Sequence, residues 1–272
     1  MAIVFDNLVI DRPLWGIFRD SNMNVLGGLN QIQNLSISNT SESKDKTDAA
    51  GVLIKRFFTS KAVELSAENA LFSLSLMGIQ TGNAKVDATA ENKIIVPMIR
   101  QFKKPQTGAW TFTLPKTPIE GTLSVTALTS SGVPDTTHQY ELATELAPGK
   151  YIISGTTVTI GVDEGDDAYV PDRVQATFMY ESENGARVLQ SGDKFPKECE
   201  LILAVLVSDV CDKEIVRLAY ITFPAFQMSP DFDITLDTDS PHPFSGTATL
   251  DYCDDEKGMY SIAISEDDEG DE

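Results

Sequence analysis

Apolar and polar residues alternate with a period of two along most of this 272-residue chain, and that pattern constrains the fold more than any other feature. Trp110, Phe112 and Leu114 alternate with Thr111 and Thr113; Leu123, Val125 and Ala127 alternate with Ser124 and Thr126. Val174, Ala176, Phe178 and Tyr180 alternate with Gln175, Thr177 and Met179. Successive side chains on a strand point to opposite faces, so each block reads as a strand with one buried and one wet face. Tyr151-Ile-Ile and Thr157-Val-Thr-Ile160 flank Ser154-Gly155 as the arms of a tight hairpin would. Leu201-Ile-Leu-Ala-Val-Leu-Val207 lacks alternation, as expected of a central strand covered on both faces. The chain is therefore expected to be mainly β: an antiparallel β-sandwich or open barrel with one flanking α-helix and long loops.

The helix is expected at about residues 66–78. Ser66 is a candidate N-cap, Glu68 falls in the first turn, and Leu71 with Leu74 and Phe72 with Leu76 have helical spacing before Gly78 and Gly82. It follows Val52-Leu-Ile-Lys-Arg-Phe-Phe58, whose β-branched and aromatic residues suggest a strand. Residues 38–51 are polar, end in Gly51 and have almost nothing to bury, so they read as a long flexible connection between two strands. Pro-bearing breaks at Lys103-Lys-Pro-Gln-Thr-Gly108 and Leu114-Pro-Lys-Thr-Pro118 allow a β-rich insertion at about 105–192 within a domain built from both ends.

Charge narrows the function. There are 21 Lys and Arg against 41 Asp and Glu, a formal net charge of −20. Such a chain is poorly suited to clamp phosphates or sit on anionic lipid, which both need a basic surface. From Asp251 to Glu272 there are ten carboxylates and one lysine, and a disordered acidic tail is expected at about 266–272. The longest apolar run, 201–207, falls far short of the roughly 20 residues needed to cross a bilayer. The opening Met-Ala-Ile-Val-Phe-Asp has neither a basic n-region nor a long apolar h-region, so no secretion signal and a reducing cytoplasm are expected.

Chemistry-bearing residues are sparse. Cys199, Cys211 and Cys253 are an odd number without a close pair, which fits buried free thiols better than a disulfide framework or zinc site. His138 and His242 lack metal-pair spacing, and no hydrolase, zincin or phosphate-loop motif occurs. Gly161-Val-Asp-Glu-Gly-Asp-Asp167 gathers four carboxylates, as oxygen ligation of calcium would require, but lacks the alternation and distal Glu of an EF-hand loop. It reads as a solvated acidic turn. We expect no enzyme, no cofactor and no metal.

Asp231-Phe-Asp-Ile-Thr-Leu-Asp-Thr-Asp239 is more informative. On a strand, Phe232, Ile234 and Leu236 would share one face and Asp231, Asp233, Asp237 and Asp239 the other. The acidic row is either a solvent face that discourages aggregation or, in several copies, the wall of a channel along which a polyanion passes without sticking.

At this point the residues resemble a family. A strand, a polar loop, the run Ala50-Gly-Val-Leu-Ile-Lys-Arg-Phe-Phe-Thr-Ser-Lys-Ala62 and a helix from Ser66 look like the front half of tailed-phage tail tube, or major tail structural, proteins. Asp193-Lys-Phe-Pro196 before a strand, the stretch from Ile221 to Leu236, and Pro243-Phe-Ser-Gly-Thr-Ala248 leading to Asp251-Tyr-Cys-Asp254 are similar to tube-like virion proteins. The likeness covers about residues 30–82 and 170–265. It implies a single tube-like β domain over 1–272, six copies in a ring, and rings stacked into the conduit through which the genome leaves the capsid. The implied partners are further copies, other tail proteins and DNA in transient passage, with no membrane and no small-molecule substrate. The implied place is the virion tail, after synthesis in the host bacterial cytoplasm.

In such proteins a loop between early strands reaches the neighbouring ring, and Ser38, Glu42, Lys44, Asp45, Lys46 and Asp48 stand where that loop would be. Phe57 and Phe58 are candidate subunit contacts. The chain is longer than many tube proteins and carries an acidic tail, which leaves room for a head-decoration or baseplate protein, or a non-enzymatic β binding module.

Overall fold

In the computed structural model, residues 8–162, 169–209, 216–250 and 258–269 are described, with backbone alone for 266–269. The acidic residues at 163–167, Cys211, Cys253 and 270–272 lie outside the described residues. The chain divides into two compact units, Met1–Val86 with Arg187–Glu272, and Asp87–Ala186.

The first unit holds β1 (Leu8–Arg19), β2 (Val25–Leu29), β3 (Ile32–Thr47), β4 (Leu53–Asn69) and α1 (Leu74–Thr81). After β5 (Val86–Asp87), the second unit holds β6 (Ile94–Lys103), β7 (Thr111–Thr113), β8 (Ser124–Leu128), β9 (Pro134–Leu142), β10 (Lys150–Ser154), β11 (Thr157–Ile160) and β12 (Arg173–Ser182). β13 (Ala186–Arg187), which pairs with β5, leads back to β14 (Glu198–Asp209), β15 (Val216–Met228), β16 (His242–Ala248) and β17 (Ser261–Glu269).

In the first unit the strands run in the order β2-β1-β14-β15-β16-β4-β3, with β17 also on β15. The fork has a sequence cause. β15 pairs with β17 as far as Thr222 and with β16 from Phe226, and between them Pro224 has no N–H to give to a ladder. Phe18, Leu65, Leu203, Phe223, Phe226 and Phe244, from the five strands β1, β4, β14, β15 and β16, are buried in one cluster. Close approach within it depends on glycine: a Cβ on Gly16 would meet Leu203 Cδ2 at 2.6 Å, and one on Gly246 would strike the Phe226 ring. β14 has the central place its sequence suggested, between β1 and β15, but it is not covered on both faces: Ile202 and Leu206 are half-buried while Leu201, Leu203, Val205 and Val207 are buried.

The second unit is one sheet in the order β6-β12-β8-β9-β10-β11-β7. Its pairings are antiparallel except β9 with β10. The alternating residues do what their period dictates: Trp110, Phe112, Val125, Ala127, Val174, Ala176 and Phe178 all bury in one core. Ser154 pairs with Thr157 across the two-residue Gly155-Thr156 loop, with Gly155 at φ 61°.

Three expectations change. The helix begins at Leu74, because period two continues to the end of β4, where Val63, Leu65, Ala67 and Asn69 are buried and pair with β16. The N-cap is Ser73, whose Oγ accepts from Leu76 N–H at 3.2 Å, and Gly82 closes the helix at φ 69°. Residues 38–51 are no flexible loop: β3 reaches Thr47 and β4 starts at Leu53. β17 runs to Glu269, whose backbone pairs with Arg217, whereas composition pointed to a disordered tail from 266. No helix among the described residues is long and apolar enough to cross a membrane.

Candidate assembly surface

The hairpin of β3 and β4 is the most unusual surface in the first unit. Among the described residues β16 pairs with β4 from Val63 to Asn69, and beyond Ala62 the hairpin continues as a two-stranded ribbon with no described strand on either outer edge. The turn explains how a polar stretch holds this shape. Asp48 Oδ1 accepts from Ala50 N–H at 2.9 Å and Val52 N–H at 2.8 Å, while Gly51 takes φ 82°. Gly51 N–H then donates to Asp48 O at 3.1 Å. An isolated two-stranded ribbon is only marginally stable in water, so an arm of this kind is suited to rest on something else.

Paired residues share a face, which sorts the arm's side chains. Lys44 opposes Phe57 and Lys46 opposes Lys55, and Lys55 Nζ sits 5.0 Å from the centre of the Phe57 ring. This face carries three lysines around one aromatic ring. On the other face Ser43 opposes Phe58, and Asp45 opposes Arg56. The guanidinium grips the carboxylate twice, Nε to Oδ1 at 2.7 Å and Nη2 to Oδ2 at 2.9 Å. Hydrogen bonding to Arg56 holds the Asp45 carboxyl below the usual carboxylate range. Phe57 is 46% exposed and Phe58 71%, and Val52, Leu53 and Ile54 are also exposed.

Residues assigned separately by sequence thus meet on one element. Lys44, Asp45 and Lys46 from the expected loop lie on the same ribbon as Phe57 and Phe58, Lys44 directly opposite Phe57; Asp48 forms the turn, while Glu42 and Ser38 lie further down β3, opposite Ser60 and Glu64. Lys55 and Arg56 were missed. The signal that marks them is an Asp-x-x-Gly turn between a run rich in Ser, Thr and Lys, residues 40–47, and the β-branched and aromatic run 52–58, which is a hairpin signature even though the first arm lacks apolar alternation.

Asp231, Asp233, Asp237 and Asp239 do not form a row on a strand. Residues 231–236 belong to no strand, because β16 already occupies the edges of β4 and β15 that another strand would need. Alternation persists briefly, with Phe232 and Ile234 half-buried and Asp231, Asp233 and Thr235 exposed. It ends at Leu236, which is 87% exposed. Asp237 and Asp239 then sit in a turn, Thr238 N–H donating to Asp237 Oδ1 at 2.7 Å and Asp239 at φ 62°.

Asp231 and Asp233 instead border a cleft of about 700 Å³, lined also by Glu68, Phe232, Pro243 and Phe244. Among the described residues no Lys or Arg lines it. Glu68 Oε2 accepts from Asn34 Nδ2 at 2.7 Å, which fixes one carboxylate at the rim. Behind it His242 is buried, bonded through Nε2 to Gln80 Oε1 at 2.8 Å and accepting at Nδ1 from Ser73 N–H at 3.3 Å.

The remaining candidates stay apart. His138 contacts Asp135 Oδ2 through Nδ1 at 2.8 Å and stacks on Tyr169 in the second unit, away from any second histidine in its own unit. Hydrogen bonds from Thr137, then His138, hold Asp135 at about 2. Cys199 is buried, and burial pushes its thiol up to about 12, which leaves it an unreactive packing residue.

Comparison with known proteins gives one family. The model of the YomU/Tube protein family matches residues 18–263, a span that contains the arm, the cleft and the whole second unit. No curated protein matches the chain.

Proposed function

Because the chain belongs to the YomU/Tube protein family, we propose that it is a structural subunit of a phage tail, six copies closing into a ring and rings stacking into the tube through which the genome leaves. The observation that carries this reading is the arm: an ordered ribbon with open edges and exposed apolar residues, suited to span from one subunit to the next. Its role is assembly rather than catalysis, with other tail proteins at the tube's ends and the virion tail as its destination.

The physical logic is that of heterologous contacts. A surface on one copy meets a different surface on the next, and the chain of contacts closes when the rotation per copy suits. Among the described residues β2 and β3 in the first unit and β6 and β7 in the second also end their sheets, and such edges are where neighbouring chains pair or abut. The net charge of −20 keeps free copies apart until contacts are made in register. For the bore, Asp237 and Asp239 on their exposed turn are the lining we assign, where negative charge repels the DNA backbone and prevents it from sticking.

Mass photometry of the purified full-length protein at low salt tests the ring. A closed species of six times the 29.7 kDa chain is expected, alone or as multiples. A distribution with no preferred stop at six contradicts it.

A further inference from the structure

Charge within the first unit is separated in a way that a lone subunit cannot use. Between residues 40 and 62 the arm has five cations, Lys44, Lys46, Lys55, Arg56 and Lys61, against three carboxylates, Glu42, Asp45 and Asp48. It is thus a positive projection on a chain whose total is −20. The cleft has the opposite character, with Glu68, Asp231 and Asp233 at its lining and no basic residue among the described residues that line it.

The arm cannot reach its own cleft. Ser66 and Glu68 belong to β4, the same strand that carries Lys55 and Phe57. Eleven residues separate Lys55 from Ser66, and at about 3.3 Å per residue that is roughly 36 Å of extended strand. Folding back would break the ribbon and the Asp45–Arg56 pair. The two complementary surfaces can therefore meet only between molecules.

We infer that the lysine face of the arm, Lys44, Lys46 and Lys55 around Phe57, docks on the acidic cleft of a second copy, against Asp231, Asp233 and Glu68. The spacing suits this: Lys44 and Lys46 are two residues apart on one strand face, and Asp231 and Asp233 are two apart in the chain, both exposed and both at the cleft. Phe57 brings an apolar body to a cleft whose walls include Phe232, Pro230 and Pro243. Because donor and acceptor surfaces differ, the contact is head-to-tail, and a growing series of copies presents a free arm at one end and a free cleft at the other. The inference rests on the tube reading for the presence of a second copy, and it names the surface on which the arm rests.

Paired charge reversal tests it. Three full-length variants are compared with the natural chain by sedimentation velocity at low salt: Lys44→Glu with Lys46→Glu, Asp231→Lys with Asp233→Lys, and all four together. Circular dichroism confirms that each is folded, as expected for exposed positions. Each double reversal is expected to weaken self-association about tenfold or more, and the fourfold variant to recover most of it. If the natural chain associates and the double reversals associate equally well, or the fourfold variant does not recover, the inference is overturned while the tube reading stands. If the natural chain does not associate at all, the tube reading fails, and this contact with it.

Discussion

The imidazole of His242 is held from both sides inside the first unit. Ser73 N–H donates to Nδ1, so the ring proton sits on Nε2 and is given to Gln80 Oε1, while Gln80 Nε2 donates to Pro243 O at 2.9 Å. A second ring proton would face the Ser73 N–H with no acceptor, and burial lowers the His242 pKa below its ordinary value. The unfolded chain then binds a proton that the folded chain resists. Stability contributed by the neutral ring is present above the ordinary histidine value of about 6.5 and is lost as pH falls below it. Thermal melts followed by circular dichroism should show the melting temperature dropping from about pH 6.5 to about pH 5. His242→Gln should lower it at neutral pH and reduce this slope; an unchanged slope would remove His242 as the cause.

The arm is the element on which the functional reading turns, and it is separable from the core. No residue between 43 and 59 is buried, and Glu42 pairs directly with Ser60. Replacing 43–59 with Asn-Gly should close a two-residue hairpin at that pair. The shortened chain is expected to melt within a few degrees of the natural one and to lose self-association. A large loss of stability would instead make the arm part of the folding unit. Why the arm reads poorly in the sequence follows from the same facts. Strands that bury a face announce it by alternation, and Trp110, Phe112, Val174, Ala176 and Phe178 did so correctly. The outer half of β3 buries nothing, so Ser41, Ser43 and Thr47 look like loop residues, and only the Asp48–Gly51 turn chemistry distinguishes ribbon from coil. The segment from Asp231 failed in the opposite direction. Its alternation is real as far as Thr235, but a strand also needs a free edge beside it, and sequence period says nothing about which edges are taken. The helix start moved for a related reason: Ser66 and Ser73 are both acceptable N-caps, and pairing with β16 decides between them.

At the scale of the whole molecule, the account is one of charge distribution and assembly. A basic arm on an acidic body makes association electrostatic, so raising the ionic strength should weaken it as screening shortens the reach of the arm's lysines. The bore is testable separately from the contacts. Asp237→Lys with Asp239→Lys should leave tubes intact but slow the release of DNA through them, measured as infectivity per assembled particle. Normal infectivity would remove these two carboxylates from the lining. Membership of the family sets the expectation of a tube, and the arm supplies a physical means of building one. Negative-stain electron microscopy of the purified full-length protein, across concentration and salt, tests that claim most directly. We expect rings or hollow tubes at low salt that disperse as salt is raised. Compact single subunits under every condition would contradict it.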